Sequence, residues 1–160
     1  MTVNTAQGAR FYIGTTQSID ETSSVTALAD FEADSYVEVG EVEDLGEFGD
    51  QSDEVNFTAL GDGRVRKIKG PRNAGSMNLV VGSDSNDEGQ DAMIAAEAQT
   101  LDYNFKVVAN DAVTIGGNAS VRYFRGKVMS KRENFGNASN VVRRTFAVGV
   151  NSAVYEVAAT

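Results

Sequence analysis

The sequence predicts a mainly β fold with one helix. Its 160 residues include 16 glycines and a single proline, and apolar and polar residues alternate in many short runs. Alternation with a period of two is typical of a strand with one buried face, and glycines between such runs are typical of turns. We expect about eight strands, no internal repeat and no linker, so residues 1–160 are predicted to form a single domain.

The clearest strands come from four alternating runs. In each run every second side chain lies on one face, as in a half-buried strand. The residues predicted to be buried are Val55, Phe57 and Ala59 in DEVNFTAL, Met77, Leu79 and Val81 in GSMNLVVG, Leu101, Tyr103, Phe105 and Val107 in LDYNFKVVA, and Phe146, Val148 and Val150 in VVRRTFAVGV. In the third run Asp102, Asn104 and Lys106 are therefore expected to face outward, and AVYEVA is expected to close the chain as an edge strand.

One segment, residues 85–99 (SNDEGQDAMIAAEAQ), predicts an α-helix that flanks the sheet. Ser85 or Asn86 is suited to the N-cap, and Asp87 and Glu88 follow in the first turn, where the helix dipole favours anions. The Ala-rich body leaves a thin apolar stripe that can lie close to a sheet. The polar stretch 15–34, by contrast, predicts mainly a surface excursion with at most one helical turn.

The composition excludes most kinds of catalytic site. Cysteine, histidine and tryptophan are absent, so the chain has no thiol nucleophile, no imidazole base and no thiolate or imidazole metal ligand. Pairs of carboxylates such as Glu41 with Glu43 arise by chance in so acidic a chain. We therefore expect no enzyme activity, no catalytic residue, no cofactor and no metal site.

Charge occurs in blocks of one sign. Fourteen acidic residues and no basic residue lie from Asp20 to Asp62, in a chain of net charge −9. The stretch 61–75, GDGRVRKIKGPRNAG, then carries five of the fourteen basic residues and the only proline. These basic residues are Arg64, Arg66, Lys67, Lys69 and Arg72. Segregated charge suits a surface that binds another surface of opposite charge. Patches of opposite sign set the register and the orientation of such a contact.

Three interpretations of the basic stretch remain open on the residues alone. The stretch could be a solvated hairpin tip, one half of a self-complementary assembly surface, or a binding site for nucleic-acid phosphates. The third interpretation is weakened because the stretch contains no aromatic residue for base stacking. The chain as a whole also repels phosphate. A nucleic-acid-binding β-barrel that uses the basic stretch is kept as an alternative function.

The order of features from Phe31 to Gln99 resembles that of the tail tube, or major tail, proteins of tailed bacteriophages. The matching pieces are the extended stretch FEADSYVEVGEVEDLGEFG, the strand DEVNFTAL, the charged connection 61–75, the strand GSMNLVV and the acidic entry to a helix, DEGQDAMIAAEAQ. The resemblance implies a β-sandwich or barrel of two roughly orthogonal antiparallel sheets, with one flanking α-helix at residues 85–99. The segment 61–75 is then a long charged loop.

The resemblance also implies a function. Six copies would form a ring, and stacked rings would make the channel through which the genome is ejected. The expected partners are other copies of the chain, a tape measure protein, and tail terminator and tip proteins, with double-stranded DNA passing without specific binding. A tube subunit of a related contractile injection or secretion system is a second alternative. The protein would be made in the bacterial host cytoplasm, without leader or membrane anchor, and would reside in the virion tail.

Two sets of site residues follow as hypotheses. The five basic residues of 61–75 would contact acidic residues of a neighbouring copy, namely Glu41, Glu43, Asp44 and Glu47. Asp102 and Asn104, as outward positions on a strand, are candidate residues of the channel wall. Excess negative charge on that wall would keep DNA phosphates from adhering.

Overall fold

The structure of the protein, a computed structural model, describes residues 3–160. Within these residues it contains ten β-strands and two α-helices. The strands are β1 Arg10–Ile13, β2 Val37–Val39, β3 Val42–Asp44, β4 Gln51–Thr58, β5 Val65–Asn73, β6 Ser76–Gly82, β7 Tyr103–Val108, β8 Val121–Asn134, β9 Arg143–Val150 and β10 Tyr155–Val157. The helices are α1 Ser24–Ala33 and α2 Glu88–Glu97. The predicted mainly β fold with a flanking helix is confirmed, and α1 is an additional helix.

Eight strands form one antiparallel sheet in the order β2-β1-β7-β8-β9-β6-β3, with β10 paired to β8 outside this path. Strand β8 is long enough to belong to both halves of this sheet, the first with β7 and the second with β9. From Val121 to Gly126 it pairs with β7, and from Gly126 to Asn134 it pairs with β9. The two halves enclose one core, so they act as the two layers of the expected sandwich.

The change of partner along β8 depends on glycine at position 126. A Cβ atom on Gly126 would overlap the backbone carbonyl oxygen of Gly149 on β9. Only a residue without a side chain lets the two backbones approach so closely. A register shift between Val128 and Ser130 follows and leaves Met129 as an extra residue. Such a bulge bends the strand and increases its twist.

The core lies between the two halves and contains side chains from both. The rings of Phe11 and Phe105 stack with centroids 5.6 Å apart, and those of Phe105 and Phe124 with centroids 5.4 Å apart. Phe48, from the connection between β3 and β4, extends this row, with its centroid 5.4 Å from that of Phe124. The second half contributes Met77, Leu79, Val81, Phe146, Val148 and Val150. These six predicted core positions are confirmed.

Helix α2 packs against β2 and β8. Its N-cap is Asp87, whose carboxylate accepts a hydrogen bond from the backbone amide of Gln90. The predicted cap at Ser85 or Asn86 is therefore wrong. Asp87 also accepts a hydrogen bond of 3.0 Å from the backbone amide of Gly40. This second bond ties the helix start to the end of β2, which explains why the helix begins later than the sequence predicts.

The side chain of Gln90 joins α2 to the sheet. It is fully buried, and its amide nitrogen donates to the carbonyl oxygens of Gly82 at 2.8 Å and Gly40 at 3.3 Å. Its amide oxygen accepts from the backbone amide of Asp84 and from the guanidinium of Arg144. All of its hydrogen-bonding capacity is used, as burial of a polar side chain requires.

Helix α1 was not predicted, because its stretch is polar and acidic. Ser23 caps it with a side-chain oxygen that accepts a hydrogen bond from the Thr26 amide. Phe31 is fully buried, and its ring centroid lies 5.5 Å from that of Tyr123 and 5.6 Å from that of Tyr155. Helix α1 therefore covers the outer face of the first half of the sheet, which alternation alone predicted to be exposed.

Candidate assembly surface

Strands β4 and β5 form a separate two-stranded hairpin, and residues 51–73 are called the arm below. Its turn is made by the GDG motif. Gly63 has a φ of 62° and donates its amide to the carbonyl of Ala59, while Asp62 accepts from the amide of Arg64. Glycine and aspartate favour such turns. The stretch 61–75 is thus not a loop, since residues 65–73 form a strand in which consecutive charges hide the alternation.

The register of the arm sorts its side chains onto two faces. Val55 lies opposite Ile68 and Phe57 lies opposite Arg66, so these four share one face. The three apolar side chains, called the apolar face of the arm, are 46% exposed at Val55 and 53% exposed at both Phe57 and Ile68. The other face is polar, with Asn56 opposite Lys67 and Glu54 opposite Lys69. The predicted burial of Val55 and Phe57 does not occur within a single chain.

An isolated hairpin of this kind needs a partner. In the part of the chain that the structure describes, the arm pairs with no third strand, and two strands alone are marginally stable in water. Exposed strand edges and apolar side chains also invite uncontrolled association unless a specific partner covers them. The arm has the properties of a surface that is buried by assembly.

Three of the five basic residues of the arm already have acidic partners in the same chain. The ion pairs are Arg66 with Asp62 at 2.6 Å, Lys67 with Glu54 at 3.2 Å and Arg72 with Asp50 at 3.9 Å. The basic side chains remain between 57% and 72% exposed. Exposed pairs contribute only about 0–1 kcal/mol each, so they can exchange for partners on another molecule. Arg64 and Lys69 form no ion pair within residues 3–160.

The four predicted acidic partners lie between β2 and the arm, and within one chain none of them pairs with a basic residue of the arm among residues 3–160. Glu43 forms an ion pair with Arg143 of β9, and Asp44 accepts a hydrogen bond from a backbone amide two residues later. Glu41 is exposed and has a φ of 56°. Glu47 is exposed and lines a cavity next to the first residue of the arm, which is called the root of the arm below. Contact between these acids and the arm of another copy stays a prediction.

The prediction that Asn104 faces outward is wrong. Its side chain is fully buried, and its amide nitrogen donates to the carboxylate of Asp34 at 2.8 Å and to the carbonyl of Gln17 at 3.0 Å. The connection between β1 and α1 folds over this part of β7, which alternation within β7 cannot reveal. Asp102 precedes β7, is partly exposed and pairs with Lys127 at 2.8 Å. Its place on a channel wall stays a prediction.

The carboxylate of Asp34 is expected to make the fold less stable in acid. Partial burial raises its pKa, but hydrogen bonds from Thr15, Asn104 and Ser35 outweigh burial and hold the pKa below its ordinary value. A carboxylate of this kind contributes stability above its unfolded pKa of about 3.9 and loses that contribution as the pH falls through the lower folded pKa.

Urea unfolding measured from about pH 6 down to about pH 2.5 should therefore show a fall in the free energy of unfolding below about pH 4. Asp34→Asn should reduce the steepness of this fall, because the substituted amide does not titrate. An unchanged slope in Asp34→Asn would assign the acid sensitivity to other groups.

The second half of the sheet ends in free edges. Among residues 3–160, β3 pairs only with β6, and β8 beyond Gly126 pairs only with β9. Strand β7 covers the other edge of β8 only from Val121 to Gly126, and the short β10 pairs with β8 on the same edge as β9. Residues 127–134 therefore present a row of backbone amides and carbonyls that another strand can pair with.

Comparison with solved structures shows which proteins share this architecture. The chain is similar to the SPP1 tail tube, with a TM-score of 0.60, 14% identity, and coverage of 96% of this chain and 78% of that one. The chain has the tail tube fold. It is also similar to a chain in a six-fold symmetrised structure of the anti-feeding prophage baseplate, with a TM-score of 0.67, 9% identity and coverage of 98% of both chains.

A third similar structure comes from the PVC sheath/tube terminator of an extracellular contractile injection system. Its TM-score is 0.65 at 12% identity, over 99% of both chains. No protein-family model matches the sequence, and no curated protein matches it. The resemblance inferred from the order of sequence features is confirmed for the fold.

Two surfaces on this tail tube fold were not predicted as surfaces. Alternation predicts the apolar face of the arm but places it in the core, because a period of two does not reveal whether the predicted face is buried within the chain. The loop between β8 and β9 exposes Phe135 and Val141, at 64% and 62%, and no pattern in the sequence marks it. No helix among residues 3–160 is long and apolar enough to cross a membrane, and no three acidic residues there are placed to hold a metal ion.

Proposed function

We propose that this chain is the structural subunit of a tube, in a bacteriophage tail or in a contractile injection system. The arm carries this proposal, because it presents an uncovered apolar face on a fold shared with the SPP1 tail tube. Six copies would close into a ring, and rings would stack around a channel. The six-fold symmetrised baseplate structure that contains a similar chain supports this number.

Strand pairing between copies would close the ring. The free edge at residues 127–134 and the short edge of β3 bound the same half of the sheet. When copies repeat around an axis, the first edge of one copy faces the second edge of the next. Their pairing would give one continuous barrel and remove both exposed edges. In this role the chain is a single structural domain and has no enzyme activity.

In a phage, the channel would conduct double-stranded DNA during ejection, and tape measure, terminator and tip proteins would complete the tail. Such a tube is built in the host cytoplasm and resides in the virion. The net charge of −9 on each copy gives the assembly a strongly negative field, which disfavours adhesion of DNA phosphates. Asp102 is the remaining candidate for the channel wall.

Negative-stain electron microscopy of the purified protein tests this proposal. Hollow tubes or six-fold rings are expected as the protein concentration rises. Protein that stays monomeric at every salt and protein concentration would contradict the proposed function.

Reversal of the arm's charge is expected to prevent tube formation without unfolding the chain. The variant Arg66→Glu, Lys67→Glu, Lys69→Glu would place negative charge against the acidic surface of a neighbour, and juxtaposed like charges cost several kcal/mol. The three side chains are exposed, so their own ion pairs contribute little to folding. Circular dichroism reports the fold, and microscopy reports the tubes.

The control is an exchange of one ion pair. Glu54→Lys combined with Lys67→Glu keeps the net charge of the arm and its cross-strand pair, so this variant should assemble. Tubes formed by the triple variant at the wild-type concentration would exclude a role for the arm's charge in assembly.

A second candidate function is nucleic-acid binding by the arm. The basic stretch itself contains no aromatic residue, but Phe57 lies directly opposite Arg66 in the hairpin, and exposed rings beside cations are suited to stacking bases. One ring and three internally paired cations make a weak site. A gel shift at low salt that disappears as salt is added would favour this second function, and we expect no shift.

A further inference from the structure

We propose that the loop between β8 and β9 inserts into a cleft at the root of the arm of a second copy, so that copies bind head to tail along the strand direction. The loop with its flanking residues, 131–142, is called the plug. The inference rests on the proposed function for its occupant, a second copy of this chain, and it adds a contact, between the plug and the root of the arm, that the proposed function does not include.

The plug is a loop with a defined conformation that exposes apolar side chains. Phe135 and Val141 are 64% and 62% exposed on its two sides. The amide of Asn140 donates to the carbonyl of Asn137 at 3.0 Å, and Gly136 has a φ of 61° that suits the turn. A preformed loop loses little conformational entropy when it binds. The plug is therefore suited to enter a cavity without folding first.

The cavities at the root of the arm provide such a cleft. Two of them, with volumes of about 520 Å³ and 410 Å³, share Asp50 and Ala74 in their walls. Phe48 lines the larger one and Val150 lines the smaller one. Their sizes lie in the range of cavities that bind side chains and small ligands. Together they are called the root cleft.

The charges of the plug and the root cleft are opposite. Lys131 and Arg132 of the plug are exposed and form no ion pair within residues 3–160. Glu21, Glu47 and Asp50 line the root cleft, and the only cation in its walls, Arg72, lies 3.9 Å from Asp50. A positive plug beside an acidic cleft gives both attraction and orientation to the contact.

The plug and the root cleft lie at opposite ends of the same pair of strands. Strand β9 begins at Arg143, directly after the plug, and ends at Val150, which lines the root cleft. Eight residues at about 3.3 Å each separate the two surfaces by roughly 25 Å. Strand β6 spans the same distance, from Ser76 in the cleft wall to Gly82 opposite Arg143.

Because rigid strands hold these surfaces apart, the plug of one chain cannot fill its own cleft. Two complementary surfaces at opposite ends of a molecule make a head-to-tail contact, which repeats without closing on itself. A plug seated in the root cleft also lies next to the arm. The two contacts therefore engage the same neighbour and reinforce each other.

Crosslinking between copies tests this contact directly, because the chain has no cysteine. The double variant Ser76→Cys, Phe135→Cys puts one thiol at the root cleft and one on the plug. A short, flexible bismaleimide should then produce a ladder of dimers, trimers and larger species on a denaturing gel. The control variant, Ser76→Cys with Ile115→Cys, puts the second thiol on the loop between β7 and β8, at a position that is more exposed than Phe135. We expect at least about ten-fold less multimer from the control, since a ten-fold preference needs only a modest binding energy.

Charge exchange on the same crosslinking background gives a second readout. Adding Lys131→Glu and Arg132→Glu should remove the ladder, and adding Glu21→Lys and Glu47→Lys to that variant should restore it. A ladder that is equal in test and control variants, or that charge reversal leaves unchanged, overturns the inference.

Microscopy of the same samples separates this inference from the proposed function. A specific ladder without tubes supports the head-to-tail contact and contradicts the tube. Tubes without a specific ladder support the tube and overturn the plug and root cleft as its contact. Samples with neither a ladder nor tubes overturn both.

Discussion

Phe57→Asp is expected to abolish tube formation while the chain remains folded. Phe57 is 53% exposed on the apolar face of the arm, beside Val55 and Ile68, and it takes no part in the core. In an assembled tube this face would be buried against a neighbour. Burying an unpaired carboxylate in an apolar contact costs several kcal/mol, and about 4 kcal/mol corresponds to a thousand-fold loss of affinity.

The loss would occur at every contact of the tube, so assembly should fail at any practical concentration. Thermal unfolding should differ little from that of the wild type, because the side chain is exposed in the monomer. Val25→Asp is a matched control, since Val25 is 77% exposed on α1 and lies outside the arm. Tubes formed by Phe57→Asp at the wild-type concentration would exclude the apolar face as an assembly surface.

The arm also shows where sequence alternation stops being informative. Alternation correctly found Val55 and Phe57 on one face of a strand, and the structure exposes both. A strand that is buried by another copy has the same pattern as a strand that is buried by its own chain. The distinction depends on tertiary placement, which a local pattern does not contain.

Elsewhere the same pattern predicted the core well. Met77, Leu79 and Val81 of β6, and Phe146 and Val148 of β9, are buried as expected, because each strand has one face on the core and the other free. Strand β7 follows the rule only in part, since Gln17 before α1 and Asp34 at its end cover Asn104 on the second face. That cover depends on α1, which an acidic and weakly apolar stretch did not reveal.

Asn104 gives the physical reason for the largest error in the site prediction. A polar residue between apolar residues in a strand is normally solvated, and its burial is possible only when hydrogen bonds replace water. Asp34 and Gln17 supply those bonds to the amide nitrogen from 70 and 87 residues away in the sequence, while the amide oxygen is buried without a hydrogen-bond partner. Contacts at such separations cannot be inferred from periodicity within one strand.

Phe124→Ala is expected to lower the free energy of unfolding by about 3–5 kcal/mol, the usual range for loss of a buried phenylalanine. Phe124 is fully buried, and its ring lies 5.4 Å from those of both Phe105 and Phe48. Domains of this size are stable by only about 5–15 kcal/mol. The substitution should therefore remove a large part of the total stability, and urea unfolding at neutral pH measures it.

The same substitution is also expected to weaken assembly in molecules that remain folded. Phe48 lies in the segment that leads into the arm, and Phe124 is the ring that its side chain packs against. Without that ring the root of the arm loses its anchor in the core, so the arm is less well oriented for a neighbour. Phe48→Ala should show the assembly defect with a smaller loss of stability, because Phe48 is only partly buried.

Phe146→Ala separates these two effects of Phe124→Ala. Phe146 is also a fully buried phenylalanine of the same core, but it lies on β9, whereas the ring of Phe48 packs in a tilted arrangement against Phe124. Its substitution should cost a similar free energy of unfolding and leave tube formation nearly intact at a temperature where both variants are folded. If the two variants weaken assembly equally, the defect follows from lost stability alone, and the row of rings from Phe105 to Phe48 has no separate role in holding the arm.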